Sequence, residues 1–169
     1  MKGRIVRILG VDPGTLVLGF GVVDQIGSKL VAVEYGVIRA PRGDAVAERL
    51  GFIQTELQKV IERTRPEVLA VERVFAGKSI PSAIRIGEAR GAVMAVAARA
   101  GVNVVEYTPA EVKKSVTGSG RAAKEQIQEM IKIIFSLKEV PRPHDAADAL
   151  AIAVCHGNRT STYGAQHTR

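Results

Sequence analysis

Asp12, Glu72, Asp145 and Asp148 each stand where an apolar stretch breaks off. Asp12 closes I-V-R-I-L-G-V, Glu72 closes V-L-A-V, and the pair D-A-A-D opens the run A-L-A-I-A-V. A carboxylate at the margin of a buried element is costly to desolvate unless a positive charge meets it. Brought together by a fold, four such groups form an anionic pocket suited to hard divalent cations. Asp145 and Asp148 are spaced i, i+3, so both project from one face of a helix's first turn. Two carboxylates about 4 Å apart repel by roughly 4 kcal/mol at an effective dielectric near 20, so a cluster of four requires cations or raised pKa values. Two Mg²⁺ ions about 4 Å apart would relieve that repulsion, activate a water and stabilise the leaving oxygen of a phosphodiester.

Each acid also has an ordinary structural role. Asp before Pro13-Gly14 is a favoured turn opener, and Asp145 can cap a helix with Asp148 favoured by its dipole. Glu72 can pair with Arg73. The elements around them make convergence the better reading. Residues 4–11, 17–24 and 30–39 are apolar and β-branched, with Gly27 and Ser28 in the second turn, and predict a three-stranded antiparallel meander. Asp44 is the expected N-cap of a helix whose Leu50, Ile53, Leu57, Val60 and Ile61 follow helical spacing until Pro66. Residues 67–72 form a short, nearly continuous apolar strand, as expected of one covered on both faces. A helix from about Pro81 to Ala100, a fifth strand over 102–107, helical pieces at 109–116 and 122–135, and a last helix from Asp145 to Cys155 follow. This order predicts an α/β fold: a mixed five-stranded sheet, three antiparallel strands plus two parallel, with helices on both faces. Strand 1 would then lie beside strand 4, bringing Asp12 toward Glu72.

The chain has 169 residues, enough for one domain with a real core, expected over 1–157 with a disordered polar tail over 158–169. Net charge is +7 and the pI near 9.9, a footprint that favours a polyanionic partner. Cys155 is the only cysteine, which excludes an internal disulfide and a cysteine-rich zinc site and reads as a small core residue. No stretch approaches the length of a transmembrane helix and no cleavable leader is evident, so no membrane role and a cytoplasmic location are expected.

Four strings, I-L-G-V-D-P-G-T-L-V-L-G-F-G-V (8–22), V-E-R-V-F-A-G-K (71–78), G-E-A-R-G (87–91) and H-D-A-A-D-A-L-A-I-A (144–153), resemble the RuvC family of Holliday-junction resolvases in motif order and interval. The resemblance runs from about residue 4 to 157. It implies a ribonuclease H-like fold and a homodimer that cuts two opposed strands of a four-way DNA junction in recombination and repair, leaving 5′-phosphate and 3′-hydroxyl ends. The implied cofactor is Mg²⁺, two ions per active site, with Mn²⁺ as a substitute. The implied partners are junction DNA and the branch-migration proteins RuvA and RuvB. Asp12, Glu72, Asp145 and Asp148 match the family's catalytic, metal-holding acids. Some members carry histidine at the first position of the final pair. Alignment on A-A-D assigns that position to Asp145 and leaves His144 as a neighbour or an outer-shell group.

Phe75 matches an aromatic that stacks on junction bases, an interaction worth about 1–3 kcal/mol and tolerant of sequence. Lys78, Arg85 and Arg90 flank or lie on the long helix, while Lys113, Lys114, Arg121 and Lys124 surround Gly118-Ser119-Gly120. Gly118 and Gly120 would let backbone N–H groups approach phosphate. Lys113 and Lys124 match basic positions that the family brings to the scissile phosphate. Gly87, Gly91 and Ala95, at four-residue intervals, make a face without bulk, which in the family belongs to the dimer interface. Two other functions compete. An actin- or sugar-kinase-type phosphotransferase shares the Asp-x-Gly-Thr turn of Asp12 to Thr15 but needs a second domain to enclose ATP. A binding protein without catalysis has little use for repulsive acids beside DNA.

Overall fold

The computed structural model describes residues 4–73 and 79–166, with side chains to Ser161; the expectations on Phe75 and Lys78 lie outside the described residues. Strands β1 (Ile5–Asp12), β2 (Val17–Ile26) and β3 (Lys29–Arg39) form the antiparallel meander that their alternation predicts. Gly27, at φ +61°, makes the two-residue turn between Ile26 and Lys29, where a Cβ would be strained. Next come α1 (Val46–Thr64), β4 (Val68–Glu72), α2 (Ile80–Arg99), β5 (Asn103–Tyr107), α3 (Pro109–Thr117), α4 (Lys124–Ile134) and α5 (His144–Gln166). Sheet order is β3-β2-β1-β4-β5, with β1–β4 and β4–β5 parallel, as the alternation of helices and strands requires. Among the described residues no helix is long and apolar enough to cross a membrane.

The sheet is covered on both faces, which explains why β4 is apolar throughout. Leu9, Val11, Leu69 and Val71 meet α1 and α2 in one core; Ile8, Val68 and Ala70 meet α3, α4 and α5 in the other. Side chains alternate along a strand, so Asp12 and Glu72 continue the second set and emerge on the α5 face. Cys155 is fully buried in that core, and burial pushes its thiol up to about 11.

Two expectations need correction. Asp44 is not the N-cap of α1: Ala45 holds that place in extended conformation, and the Glu48 carboxylate accepts its N–H. Nor does order end at Gly157, because α5 continues to Gln166. Residues 158–161 are polar and each is tied to a polar partner. Asn158 donates to Ser115 O, Arg159 pairs with Glu111, and Thr160 and Ser161 share hydrogen bonds with the buried Gln25 amide of β2. Tyr107 adds a 2.7 Å bond to His156 Nδ1. These contacts fix the far half of α5 and thereby its first turn.

Candidate active site

β1 and β4 run in register from Ile8↔Val68 to Val11↔Val71, so Asp12 and Glu72 are the next residues on adjacent parallel strands. Both leave the sheet at the carboxyl ends of the strands, on the face that α5 covers. The height of α5 above the sheet then decides whether its acids reach them. Glycine makes that distance small. A Cβ on Gly19, the residue paired with Asp12, would lie 2.0 Å from Asp145 O; one on Gly10 would lie 2.1 Å from Ala149 O. Gly21, paired with Gly10, sits against Leu150 in the same way, at 2.8 Å. The helix therefore rests on bare backbone, matched from its own side by fully buried Ala146, Ala149 and Ala153. This seat was not singled out from sequence, where glycine within a strand reads as a weakening. Its signal was present in G-F-G, two glycines on one face of one strand.

The consequence is electrostatic. Asp12 is pushed from the usual 3.8 up to about 7, first by desolvation and then by the charges of Asp148, Asp145 and Glu72, with Lys124 partly opposing. Asp148, Asp145 and Glu72 all act on Asp12, so the four carboxylates share one field. Lys124 Nζ stands 3.1 Å from Asp148 Oδ2. Burial lowers the lysine's own pKa, but the bond to Asp148 and the charges of Asp12 and Asp145 outweigh it, and the net shift is upward. Sequence placed Lys124 near phosphate and gave no sign of this pairing, because the partners are far apart in the chain.

Among the described residues no three Asp, Glu, His or Cys side chains are gathered closely enough to enclose an ion as they stand. The donor set nevertheless fits a hard divalent cation. It supplies only carboxylate oxygens, and its mutual repulsion is what such a cation relieves. An open arrangement suits Mg²⁺, which keeps several waters and takes few protein ligands. His144 begins α5 beside Asp145, with Nδ1 buried and without a hydrogen-bond partner among the described residues.

The expected DNA-contact residues fall into distinct settings. Arg85 is exposed on α2. Arg90 is turned to Glu106 of β5, which also takes Arg73. Lys114 and Arg121 are exposed and Lys113 is half-buried around the α3–α4 connection. Gly118, at φ +82°, closes α3 by giving its N–H to Lys114 O. The amides of Ser119 and Arg121 are also bonded internally, to Thr117 Oγ1 and Ser119 Oγ.

Residues 8–156 match the family model described as crossover junction endodeoxyribonuclease RuvC. The crossover junction endodeoxyribonuclease RuvC of Brevibacillus brevis is 50% identical over 150 residues, covering 89% of this chain and 90% of that protein. Thermus thermophilus RuvC is 38% identical with a TM-score of 0.86, covering 94% of this chain and 97% of that one. The same protein in complex with a Holliday junction substrate gives a TM-score of 0.87 at 38% identity, over 94% of this chain and 96% of that one.

Proposed function

The chain belongs to the RuvC family of crossover junction endodeoxyribonucleases, and from that premise we infer how its own residues resolve a four-way DNA junction. It is a Holliday-junction resolvase of ribonuclease H-like fold, a nuclease of recombination and repair. The observation that carries the mechanism is the shared field of Asp12, Glu72, Asp145 and Asp148 at the carboxyl ends of β1 and β4.

These four acids would hold Mg²⁺, two ions per site with Mn²⁺ as a substitute. Bound there, the metal would supply Lewis-acid polarisation of the phosphodiester and an acidified water. The protein's part is positional. The glycine seat holds Asp145 and Asp148 over Asp12. Asp12, its carboxyl raised to about 7 by burial and then by its acidic neighbours, would release its proton to hold a cation. Lys124, with more than half of its side chain exposed, balances the acids through Asp148 and would be within reach of an incoming phosphate. Lys113, Lys114 and Arg121 extend that positive surface along the α3–α4 connection. Hydrolysis leaves 5′-phosphate and 3′-hydroxyl ends on two opposed strands.

Symmetric cutting calls for two sites, and α2 favours a homodimer. Ile80 and Ile84 are 78% and 56% exposed, and Gly87 and Gly91 have nothing against them. Such an apolar strip with glycine gaps fits a second copy of itself about a twofold axis. The protein acts in the cytoplasm as one nuclease domain, alongside RuvA and RuvB. A cleavage assay on a synthetic four-way junction tests the reading: paired nicks appear with Mg²⁺, while Asp12→Asn and Glu72→Gln bind the junction and do not cut it. Normal cutting by either variant overturns the assignment.

A further inference from the structure

Arg39 ends β3 on the same face as the carboxylates. β2 pairs Asp12 with Gly19, and β3 pairs Gly19 with Val37 and Val17 with Arg39. Asp12, Gly19 and Val37 therefore form one row across the sheet, and Arg39 lies two residues further along on the same side. The neighbouring Ile38 points the other way, into the core with α1 and α2. Strand geometry puts the Arg39 Cα about 10 Å sideways from Asp12 and about 7 Å along, or roughly 12 Å away. The first turn of α5 stands between them, with Asp145 O over Gly19.

The placement is asymmetric. α3 and α4, which carry the expected phosphate-contacting lysines, share the core of Val68, Ala70 and Tyr107 and lie on the β4–β5 side of α5. Arg39 stands on the opposite flank, on the edge strand, where α5 is the helix that meets β3 on this face. Its side chain is exposed, and among the described residues it has no acidic partner. Arg4, Arg7, Arg63, Arg73, Arg90 and Arg159 each have one. An unpaired guanidinium beside an anionic pocket has a reason to be there if a polyanion crosses both.

We propose that Arg39 binds a backbone phosphate of the DNA strand on the β3 side of the carboxylates, so that the strand is gripped on both flanks of the scissile position. The proposal rests on the junction-resolving function and deepens it. The contacted phosphate is therefore a few nucleotides from the one being cut. It is a contact to backbone charge, so it positions the strand and reads no base.

The test measures equilibrium binding of a four-way junction, with divalent ions chelated, across a salt series for the wild type, Arg39→Ala, Arg39→Lys and Lys29→Ala. Lys29 is an exposed cation at the other end of β3. Single-turnover cleavage at saturating protein is measured in parallel. Arg39→Ala is expected to weaken binding about five- to tenfold and to flatten the slope of log K against log salt by about one. Lysine restores most of both, Lys29→Ala changes neither, and the saturated cleavage rate stays within about twofold of wild type. Unchanged affinity and slope in Arg39→Ala, with wild-type cutting intact, overturn the proposal. So does a loss of saturated rate with affinity unchanged, which would place Arg39 at the reacting centre. A wild-type protein that neither binds nor cuts the junction refutes the function itself.

Discussion

Replacing Asp12 with asparagine should stabilise the metal-free protein, and the gain should depend on pH in a calculable way. In the fold the Asp12 carboxyl keeps its proton up to about pH 7, whereas in the unfolded chain it loses it near 3.8. Between those values the folded state binds the extra proton, so stability falls as pH rises and is flat above the window. At about 1.36 kcal/mol per pH unit, the rise from 3.8 to about 7 corresponds to roughly 4 kcal/mol. Asp12 is half-buried rather than sealed, so solvent at its edge makes this an upper value. Asparagine has nearly the same shape and no charge to desolvate. Urea unfolding in chelator should show Asp12→Asn level with wild type near pH 4 and ahead of it by about 2–4 kcal/mol at pH 8. In a chain of this length that is about 4–16 °C in Tm. Mg²⁺ should close the gap by binding wild type and not the variant. A variant less stable than wild type at pH 8 without metal, or a difference independent of pH, would refute the claim that burial and the neighbouring acids hold the proton on Asp12.

Other perturbations separate seating from chemistry. Gly19→Ala sets a Cβ against backbone that no side-chain rotation can clear, and should cost about 2–3 kcal/mol in urea unfolding and lower cleavage more than tenfold. Lys124→Ala removes an exposed pair and should shift stability by less than about 1 kcal/mol. It should nonetheless move the Asp12 titration to higher pH, read from the pH profile of Tm, and slow cleavage while junction binding is largely kept. Gly91→Leu points into open space on α2, so the protomer should keep its Tm while sedimentation reports a weaker dimer and paired nicks give way to single ones.

The ends of β1 and β4 were legible because an apolar run that stops at an acid marks both a strand and its exit, and consecutive parallel strands left one sensible neighbour for β1. The i, i+3 spacing of Asp145 and Asp148 needed only helical geometry. What escaped depended on partners distant in the chain. The reach of α5 beyond Gly157 hinges on Gln25, whose buried amide takes up Thr160 and Ser161, and a polar run offers no hint of such a receiver. Lys124 reads as a phosphate contact and Asp148 as a metal-holding acid, and their pairing emerges only where α4 leans on α5. Arg39 escaped for another reason: its significance lies in which face of β3 it occupies relative to β1, a matter of register across two strand pairs.

Glu106 bears on how the positive charge of this protein is felt at a distance. One carboxylate holds both Arg73, where the chain leaves β4, and Arg90, midway along α2. To an approaching polyanion the trio carries the charge of a single cation, and its field fades within a Debye length, about 8 Å at physiological salt. The attraction that guides a junction in is thus carried by the cations without an acidic partner, among them Arg39 to one side of the carboxylates and the α3–α4 connection to the other. A formal charge of +7 spread evenly would draw DNA to any surface of the molecule. Neutralised around Glu106, it draws a polyanion less to that surface than to those where the cations stand free.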